Sequence, residues 1–175
     1  KAKSAHDMGR EYRILNQLNA GFPYCPKAYV HCTDESVIGA ELYVMERVNG
    51  IILRSDMPAE LNFSAEQTRE LCKSFIDKMV ELHNVDYQAC GLGDLGKPEG
   101  YVQRQISGWS DRYEKALTPD APLWEPVKAW LKDKMPADHH KPGIVHNDYR
   151  FDNVILNPQN PSQIIGVLDW ELTTI

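Results

Sequence analysis

The chain has 175 residues, of which 42% are hydrophobic and 9% aromatic, which is enough for one domain with a sizeable core. Its net charge of -6 gives no basic footprint for nucleic acid, and no apolar run approaches the ~20 residues that cross a bilayer. Nucleic acid and membrane partners are therefore not expected. The four cysteines have neither metal-ligand spacing nor the density of a disulfide scaffold, which favours free thiols in a reducing, cytoplasmic compartment.

The first predicted elements are one helix and two strands. Residues 7–18 carry apolar side chains at helical spacing, and Gly21-Phe-Pro ends the helix. Residues 28–32 and 40–48 are predicted to be strands, and the second is apolar enough for the interior of a sheet. Asn49-Gly50 ends that strand sharply.

Three helices are predicted next. Ser64-Ala-Glu-Gln fits a capping box and begins a long helix that runs toward Val85. Two more helices are expected over residues 101–117 and 123–134. The adjacent His139-His140 would point apart on a polar loop, so we do not expect a metal pair there. The long helix that begins at Ser64 has a predicted buried stripe of apolar residues, namely Leu71, Phe75, Met79, Val80 and Leu82.

The last third of the chain carries residues with the spacing of a phosphoryl-transfer site. The segment His146-Asn-Asp-Tyr-Arg-Phe-Asp-Asn is entered by a predicted strand over residues 143–146. Its pattern, His-x-Asp-x-x-x-x-Asn with a later Asp at a strand end, is that of a kinase catalytic loop. Asp148 can take a proton from an attacking hydroxyl. Asn153 and Asp169 can supply the hard oxygen ligands that magnesium prefers.

A predicted hairpin brings these groups together. Residues 154–156 leave the loop as a strand, and residues 164–168 return as another after a stretch rich in turn formers. Asp169 is therefore expected at a strand end beside the loop. The alternative is structural, with Asp148 and Asn153 doing no more than capping turns.

Further segments complete a family pattern. Arg10-Glu-Tyr-Arg, Tyr43–Gly50 and Glu81-Leu-His, together with the catalytic loop, resemble the aminoglycoside phosphotransferase and choline kinase group of kinase-like small-molecule phosphotransferases. The resemblance covers nearly the whole chain. Within the group, Ser4-Ala-His and Asp169-Trp-Glu-Leu-Thr-Thr most resemble phosphotransferase-like domains that stand alone in bacteria or are fused to acyl-CoA dehydrogenases in eukaryotes.

The resemblance implies an α+β, protein-kinase-like two-lobe fold. Residues 1–48 would be a remnant of the N-terminal nucleotide-binding lobe. Residues 49–175 would be the C-terminal lobe, with a helical substrate insert at about residues 100–140 and the catalytic loop at 146–153. No Gly-rich phosphate loop is present, and Lys1 and Lys3 lie too near the helix to position a nucleotide. We therefore expect a fragment with an incomplete N-terminal lobe and a truncated helical C-terminal lobe.

The resemblance also implies roles for single residues. Asp148 would be the catalytic base, and the guanidinium of Arg150 could stabilise charge on the transferring group. Asn153 and Asp169 would bind Mg²⁺. Glu11 would pair with the nucleotide-positioning Lys, and hinge residues would border the adenine. The residues expected to bind ATP are Glu11, Met45, Glu46 and Val48.

Several of these residues have a plain structural alternative. Glu11 could be a solvated helix residue that forms an i,i+4 pair. Arg150 could form no more than a salt bridge with Asp152 or Glu171. His146 could be a core histidine with its hydrogen bonds satisfied.

The pattern as a whole predicts an ATP- and Mg²⁺-dependent phosphotransferase that moves the γ-phosphoryl group to a hydroxyl of a small molecule. The alternative is a kinase-like nucleotide- or ligand-binding module without turnover. The stretch from hinge to catalytic loop is longer than a protein kinase uses, which favours a small-molecule acceptor. By analogy, a hydroxylated acyl compound or other metabolite is a more plausible acceptor than an antibiotic. Three residues could line its site or simply pack between helices, namely Trp109, Asp111 and Tyr113.

Overall fold

The computed structural model describes residues 7–54, 57–58, 61–137 and 141–175. It forms two compact units, one made of the residues up to 95 together with 143–175, the other of residues 96–142. Some of the sequence predictions fall on residues outside the described ones, namely Lys1, Lys3, the Ser4-Ala-His segment and the His139-His140 pair. The lobe boundary proposed at residues 48 and 49 stays a prediction.

The first helix, α1, spans Met8–Leu18 as the apolar spacing predicts. The Asp7 carboxylate caps it by accepting a hydrogen bond from the Arg10 backbone N–H at 2.8 Å. One face of the helix is fully buried in the core. The residues on that face are Ile14, Leu15 and Leu18.

Strands β1 (Ala28–Cys32) and β2 (Leu42–Met45) form an antiparallel pair beside α1. The second strand is shorter than predicted, and its expected place in a sheet interior is wrong for the described residues. A sheet interior needs a neighbouring strand on each side, whereas in the described part of the chain β2 pairs with β1 alone. Val44 and Met45 accordingly remain 46% and 38% exposed.

Helix α2 spans Ala65–His83 and begins with the predicted capping box, in which the Ser64 hydroxyl and the Gln67 side chain each accept the other residue's backbone N–H. Leu71 and Leu82 are buried, and Phe75 and Met79 are half-buried. Val80 is 48% exposed, contrary to the prediction. It lies nine residues after Leu71, which places it about 180° around the helix from the buried face.

The C-terminal part of the first unit is a buried hairpin. A 3₁₀ turn, Phe151–Asn153, leads into β3 (Val154–Leu156), which pairs antiparallel with β4 (Ile164–Val167). The strand predicted before the catalytic loop is reduced to a single bridge between Val145 and Thr174.

The hairpin is the centre of the first unit. Its β4 end is joined to the loop after α1 because the Val167 N–H donates to the Tyr24 carbonyl at 2.8 Å. Trp170, just past β4, is fully buried and meets the ring of Phe22 edge-on at 5.9 Å. The N-terminal helix and the hairpin therefore share one core, which also includes Leu71, Leu82, Leu92 and Ile144.

The second unit contains α3 (Tyr101–Ala116) and α4 (Glu125–Asp133), close to the two predicted helices. Helix α4 begins two residues later than predicted because Trp124 adopts a left-handed conformation with φ +51°. The Lys128 ammonium joins the two helices through a 2.8 Å ion pair with Glu114. None of the described helices combines the length and apolarity of a membrane span.

Candidate active site

The catalytic loop is attached to the hairpin by His146. Its Nε2–H donates to the Leu168 carbonyl at 2.9 Å, and its Nδ1 accepts the Asp148 backbone N–H at 3.2 Å. These two bonds require the neutral imidazole with its proton on Nε2. Burial lowers the pKa of His146 and so favours that neutral form. The satisfied core histidine considered from the sequence is what the structure contains, and it holds the loop in place.

A single side-chain amide joins Asp148 to Asn153. The Asn153 Nδ2 group donates to the Asp148 backbone carbonyl at 2.9 Å and to the Asp148 carboxylate at 2.8 Å. Because both N–H bonds of the amide are used, its Oδ1 atom is the part left to meet a cation. The structure thus brings together the two predicted residues of this loop in complementary orientations.

Aromatic side chains of the loop pack on α2. The Phe75 ring lies 4.3 Å from the ring centroids of both Tyr149 and Phe151. The Tyr149 hydroxyl also donates to the Phe75 carbonyl at 2.8 Å. This support was missed from the sequence. The available signal was the pair of aromatic residues on alternate positions of the loop.

Asp169 follows β4 in a left-handed conformation, with φ +67°. Aspartate tolerates this region better than most residues. The preceding Leu168 N–H donates to the Asn153 carbonyl at 2.8 Å, so both predicted metal ligands lie on linked segments. Burial, and then the charges of Glu171 and Asp148, raise the pKa of Asp169. A bound cation would relieve that repulsion.

The donor set fits magnesium that arrives with a nucleotide. No group of three or more His, Cys, Asp or Glu side chains in the described part of the chain is arranged to hold a metal ion by itself. Asn153 and Asp169 offer two oxygen ligands. Magnesium is commonly held by one or two carboxylates, with substrate phosphates and water completing its octahedron.

Glu11 on α1 reaches the segment that carries Asp169. Its carboxylate accepts the Trp170 backbone N–H at 3.2 Å and a hydrogen bond from the Tyr43 hydroxyl. Burial raises the pKa of Glu11, while these two hydrogen bonds oppose that rise. The alternative of a solvated i,i+4 pair is therefore wrong for Glu11.

The hinge after β2 borders a cleft of about 320 Å³. The Glu46 backbone N–H already donates to the Lys27 carbonyl at 2.8 Å, so the Glu46 carbonyl is the backbone group it can offer a ligand. Ile155 and Leu168 from the hairpin also line the cleft and were missed from the sequence. The three residues predicted to border adenine all line this cleft, namely Met45 at the end of β2 and Glu46 and Val48 in the hinge.

Arg150 takes the structural alternative considered above. Its Nε donates to the Asp152 carboxylate, and its side chain is 59% exposed. A catalytic role for Arg150 therefore stays a prediction. Trp109 and Tyr113 line an apolar groove within the second unit, and Asp111 lines a separate polar one. An acceptor role for these three residues also stays a prediction.

The chain is similar to known proteins over almost its full length. The model of the phosphotransferase enzyme family matches residues 1–175. Acyl-CoA dehydrogenase family member 11 from Gallus gallus is 36% identical over 172 residues, which is 98% of this chain and 22% of that protein. The Homo sapiens protein of the same name is 35% identical over 173 residues, again with 98% and 22% coverage. The chain thus spans about a fifth of these relatives.

Solved structures agree with the predicted α+β, kinase-like fold. A candidate aminoglycoside phosphotransferase from Ralstonia eutropha matches with a TM-score of 0.84 and 38% identity, over 95% of this chain and 50% of that one. A macrolide 2'-phosphotransferase type I matches in fold, with a TM-score of 0.69 and 16% identity, over 99% and 56% of the two chains. These matches confirm the resemblance drawn from the sequence motifs, and the chain belongs to the phosphotransferase enzyme family.

Proposed function

We propose that this chain carries the site of an ATP- and Mg²⁺-dependent phosphotransferase that moves the γ-phosphoryl group to a hydroxyl of a small molecule in the cytoplasm. The observation that carries the proposal is the pair of hydrogen bonds from the Asn153 amide to Asp148. These bonds fix the Asp148 carboxylate beside Asn153 and use both amide N–H groups, which leaves the amide oxygen of Asn153 for a cation. That is the division of labour that phosphoryl transfer to an alcohol requires.

In the proposed reaction, MgATP supplies the phosphoryl group and leaves as MgADP. The Asp148 carboxylate orients the acceptor hydroxyl and takes its proton as the oxygen–phosphorus bond forms. Asn153 and Asp169 would hold the magnesium ion through oxygen atoms. The cleft lined by Glu46, Val48 and Ile155 would bind the adenine.

The acceptor belongs to the proposal as a class. Relatives named as acyl-CoA dehydrogenase family members contain a region like this chain. The candidate aminoglycoside phosphotransferase and the macrolide 2'-phosphotransferase have its fold. Hydroxylated acyl compounds should therefore be screened first, with aminoglycosides and macrolides as the comparison set.

The test begins with calorimetry of ATP binding to the full-length protein, with and without Mg²⁺. Acceptor screening by release of ADP follows. Asp148→Asn should lower turnover by at least about a hundredfold while leaving ATP binding within a few-fold of wild type. Asp77→Asn, which removes an exposed carboxylate paired with Lys73, is the matched control and should have no effect.

Two results would count against the enzyme. If Asp148→Asn phosphorylates the acceptor as fast as the wild type, Asp148 is not the catalytic base. Mg²⁺-dependent ATP binding with no transfer to any acceptor would favour the binding module without turnover.

A further inference from the structure

Two adjacent residues of α1 form side-chain hydrogen bonds with the backbone just after Asp169. The Arg10 Nη1 group donates to the Glu171 carbonyl at 2.7 Å, and its Nη2 group donates to the Thr173 carbonyl. The neighbouring Glu11 accepts the Trp170 N–H at 3.2 Å. The side chains of one helical turn thus contact three backbone groups within four residues of chain.

The same segment, residues 170–174, is also hydrogen-bonded to the catalytic loop and the residue before it. Val145 and Thr174 exchange two backbone hydrogen bonds of 2.8 and 2.9 Å. The Asn147 side chain donates to the Leu172 carbonyl at 2.9 Å. Residues 170–174 therefore link α1 to the loop that carries Asp148.

The chemistry of the contact calls for arginine. A guanidinium presents several N–H groups in a fixed planar fork and can reach two carbonyls at once, whereas an ammonium is a point charge on a flexible stem. The fork is also rigidly mounted, because Ile14, Leu15 and Leu18 anchor α1 in the core.

The backbone at Asp169 has a conformation that such hydrogen bonds can stabilise. Asp169 adopts a left-handed backbone conformation, which is unfavourable for residues other than glycine, although less so for aspartate than for most, and which neighbouring contacts help to maintain. The carbonyls bound by Arg10 are two and four residues further on. We expect that loss of the two guanidinium hydrogen bonds would let this stretch relax and shift the Asp169 carboxylate.

We propose that Arg10 is a positioning residue that holds Asp169 in its metal-binding conformation and couples α1 to the metal site. The magnesium part of this inference rests on the proposed function. The two hydrogen bonds from Arg10 to the Glu171 and Thr173 carbonyls, here called the Arg10 clamp, do not rest on it, because they are present in the protein without nucleotide.

Arg13 provides a matched control on the same helix. It also donates to a backbone carbonyl, that of Gly91 at 3.1 Å, and to a carboxylate, that of Asp94 at 3.0 Å. Its partners lie away from the metal segment. Arg10→Met and Arg13→Met therefore each remove one arginine with a comparable set of bonds, and Arg10→Lys keeps the charge but loses the fork.

The first measurement is hydrogen exchange of the amides of residues 170–174 in the full-length protein without nucleotide. Arg10→Met should speed that exchange by at least tenfold, Arg10→Lys should restore it only in part, and Arg13→Met should stay within twofold of wild type. The second is the Mg²⁺ concentration for half-maximal ATP binding, which should rise at least fivefold in Arg10→Met alone. Thermal unfolding establishes that each variant is folded.

Wild-type exchange in Arg10→Met, or equal effects of Arg10→Met and Arg13→Met, would overturn the clamp. Full restoration of exchange by Arg10→Lys would overturn the argument from the fork. If the wild-type protein binds no ATP at any Mg²⁺ concentration, the proposed function fails and the magnesium part fails with it. The exchange measurement still decides the clamp.

Discussion

Gly50 and Leu156 lie so close that a Cβ on Gly50 would come within 2.5 Å of the Leu156 carbonyl oxygen. The next residue, Ile51, exchanges two backbone hydrogen bonds with Leu156, at 3.0 and 2.8 Å. The segment after the hinge is therefore laid directly on the edge of the hairpin. Glycine is required here by close approach to another backbone.

Gly50→Ala is accordingly expected to push the hinge away from β3. We expect a loss of about 1–3 kcal/mol in the free energy of unfolding, as for other overpacked sites, and weaker ATP binding. Chemical denaturation and calorimetry measure the two effects. Gly108→Ala on α3, where an added Cβ meets nothing within 4 Å, should be neutral or stabilising by up to about 1 kcal/mol. A fully stable Gly50→Ala variant would contradict the close packing.

Asn153→Ala should abolish both the oxygen ligand and the bonds that orient Asp148. We expect turnover to fall by at least about a hundredfold, with a higher Mg²⁺ requirement for the remaining activity. The control is Asn157→Ala in the same hairpin, whose side chain bonds Gln163 at 3.1 Å. Steady-state rates across a Mg²⁺ titration compare the Asn153→Ala and Asn157→Ala variants. Similar rates in both would show that Asn153 is not part of the active site.

Tyr43→Phe removes the hydroxyl that donates to Glu11. This bond lowers the pKa of Glu11, whereas burial raises it, so the variant should raise that pKa further. ATP binding should weaken by a few-fold. The weakening should be larger at pH 6 than at pH 8, because Glu11 must be ionised to pair with the ammonium of the nucleotide-positioning Lys. Tyr12→Phe, which can keep the ring stacked on His31, should leave binding unchanged. Calorimetry across that pH range is the measurement, and equal weakening at both ends would disprove the link.

His146 should make the stability of the fold depend on pH. Burial lowers its pKa in the folded state below the usual 6.5, so the unfolded chain binds the proton more readily. The stability contributed by the neutral imidazole is present above pH 6.5 and is lost as the pH falls through that value. The loss is about 1.4 kcal/mol for each unit by which the two pKa values differ.

His146→Gln should be less stable overall and should lack this part of the pH dependence. The difference between wild type and variant in denaturation experiments from pH 8 to pH 5 isolates the contribution of His146 from that of the carboxylates. His83→Gln, at an exposed position at the end of α2, should keep the wild-type dependence. A constant difference between wild type and His146→Gln across the range would show that His146 is not held neutral.

Local features were predictable from the sequence, and distant contacts were not. The Ser64 capping box and the β3–β4 hairpin depend on residues a few positions apart, so their spacing is visible in the chain. The clamp of Arg10 on Thr173 spans 163 residues and leaves no periodic signal. The same holds for the packing of Phe75 against the catalytic loop.

The errors have a similar origin. An apolar strand such as β2 does not reveal how many neighbours it has, so its exposure could not be read from its composition. Val80 is apolar but lies on the side of α2 opposite Leu71. The residues proposed for catalysis stand out in the sequence because phosphoryl-transfer chemistry restricts both residue type and spacing.

If the proposed function is correct, the β3–β4 hairpin sets the distance between the adenine and the metal site. Ile155 in β3 lines the hinge cleft, and Asn153, two residues earlier, is the last residue of the catalytic loop. Because Val154 between them is extended, Asn153 and Ile155 are separated by roughly 7 Å along the chain, at about 3.3 Å per residue. Inserting one residue in β3 would lengthen this separation and also turn the following side chains to the opposite face. In the proposed nucleotide complex, the three-residue strand β3 would therefore set the distance between the base and the phosphates.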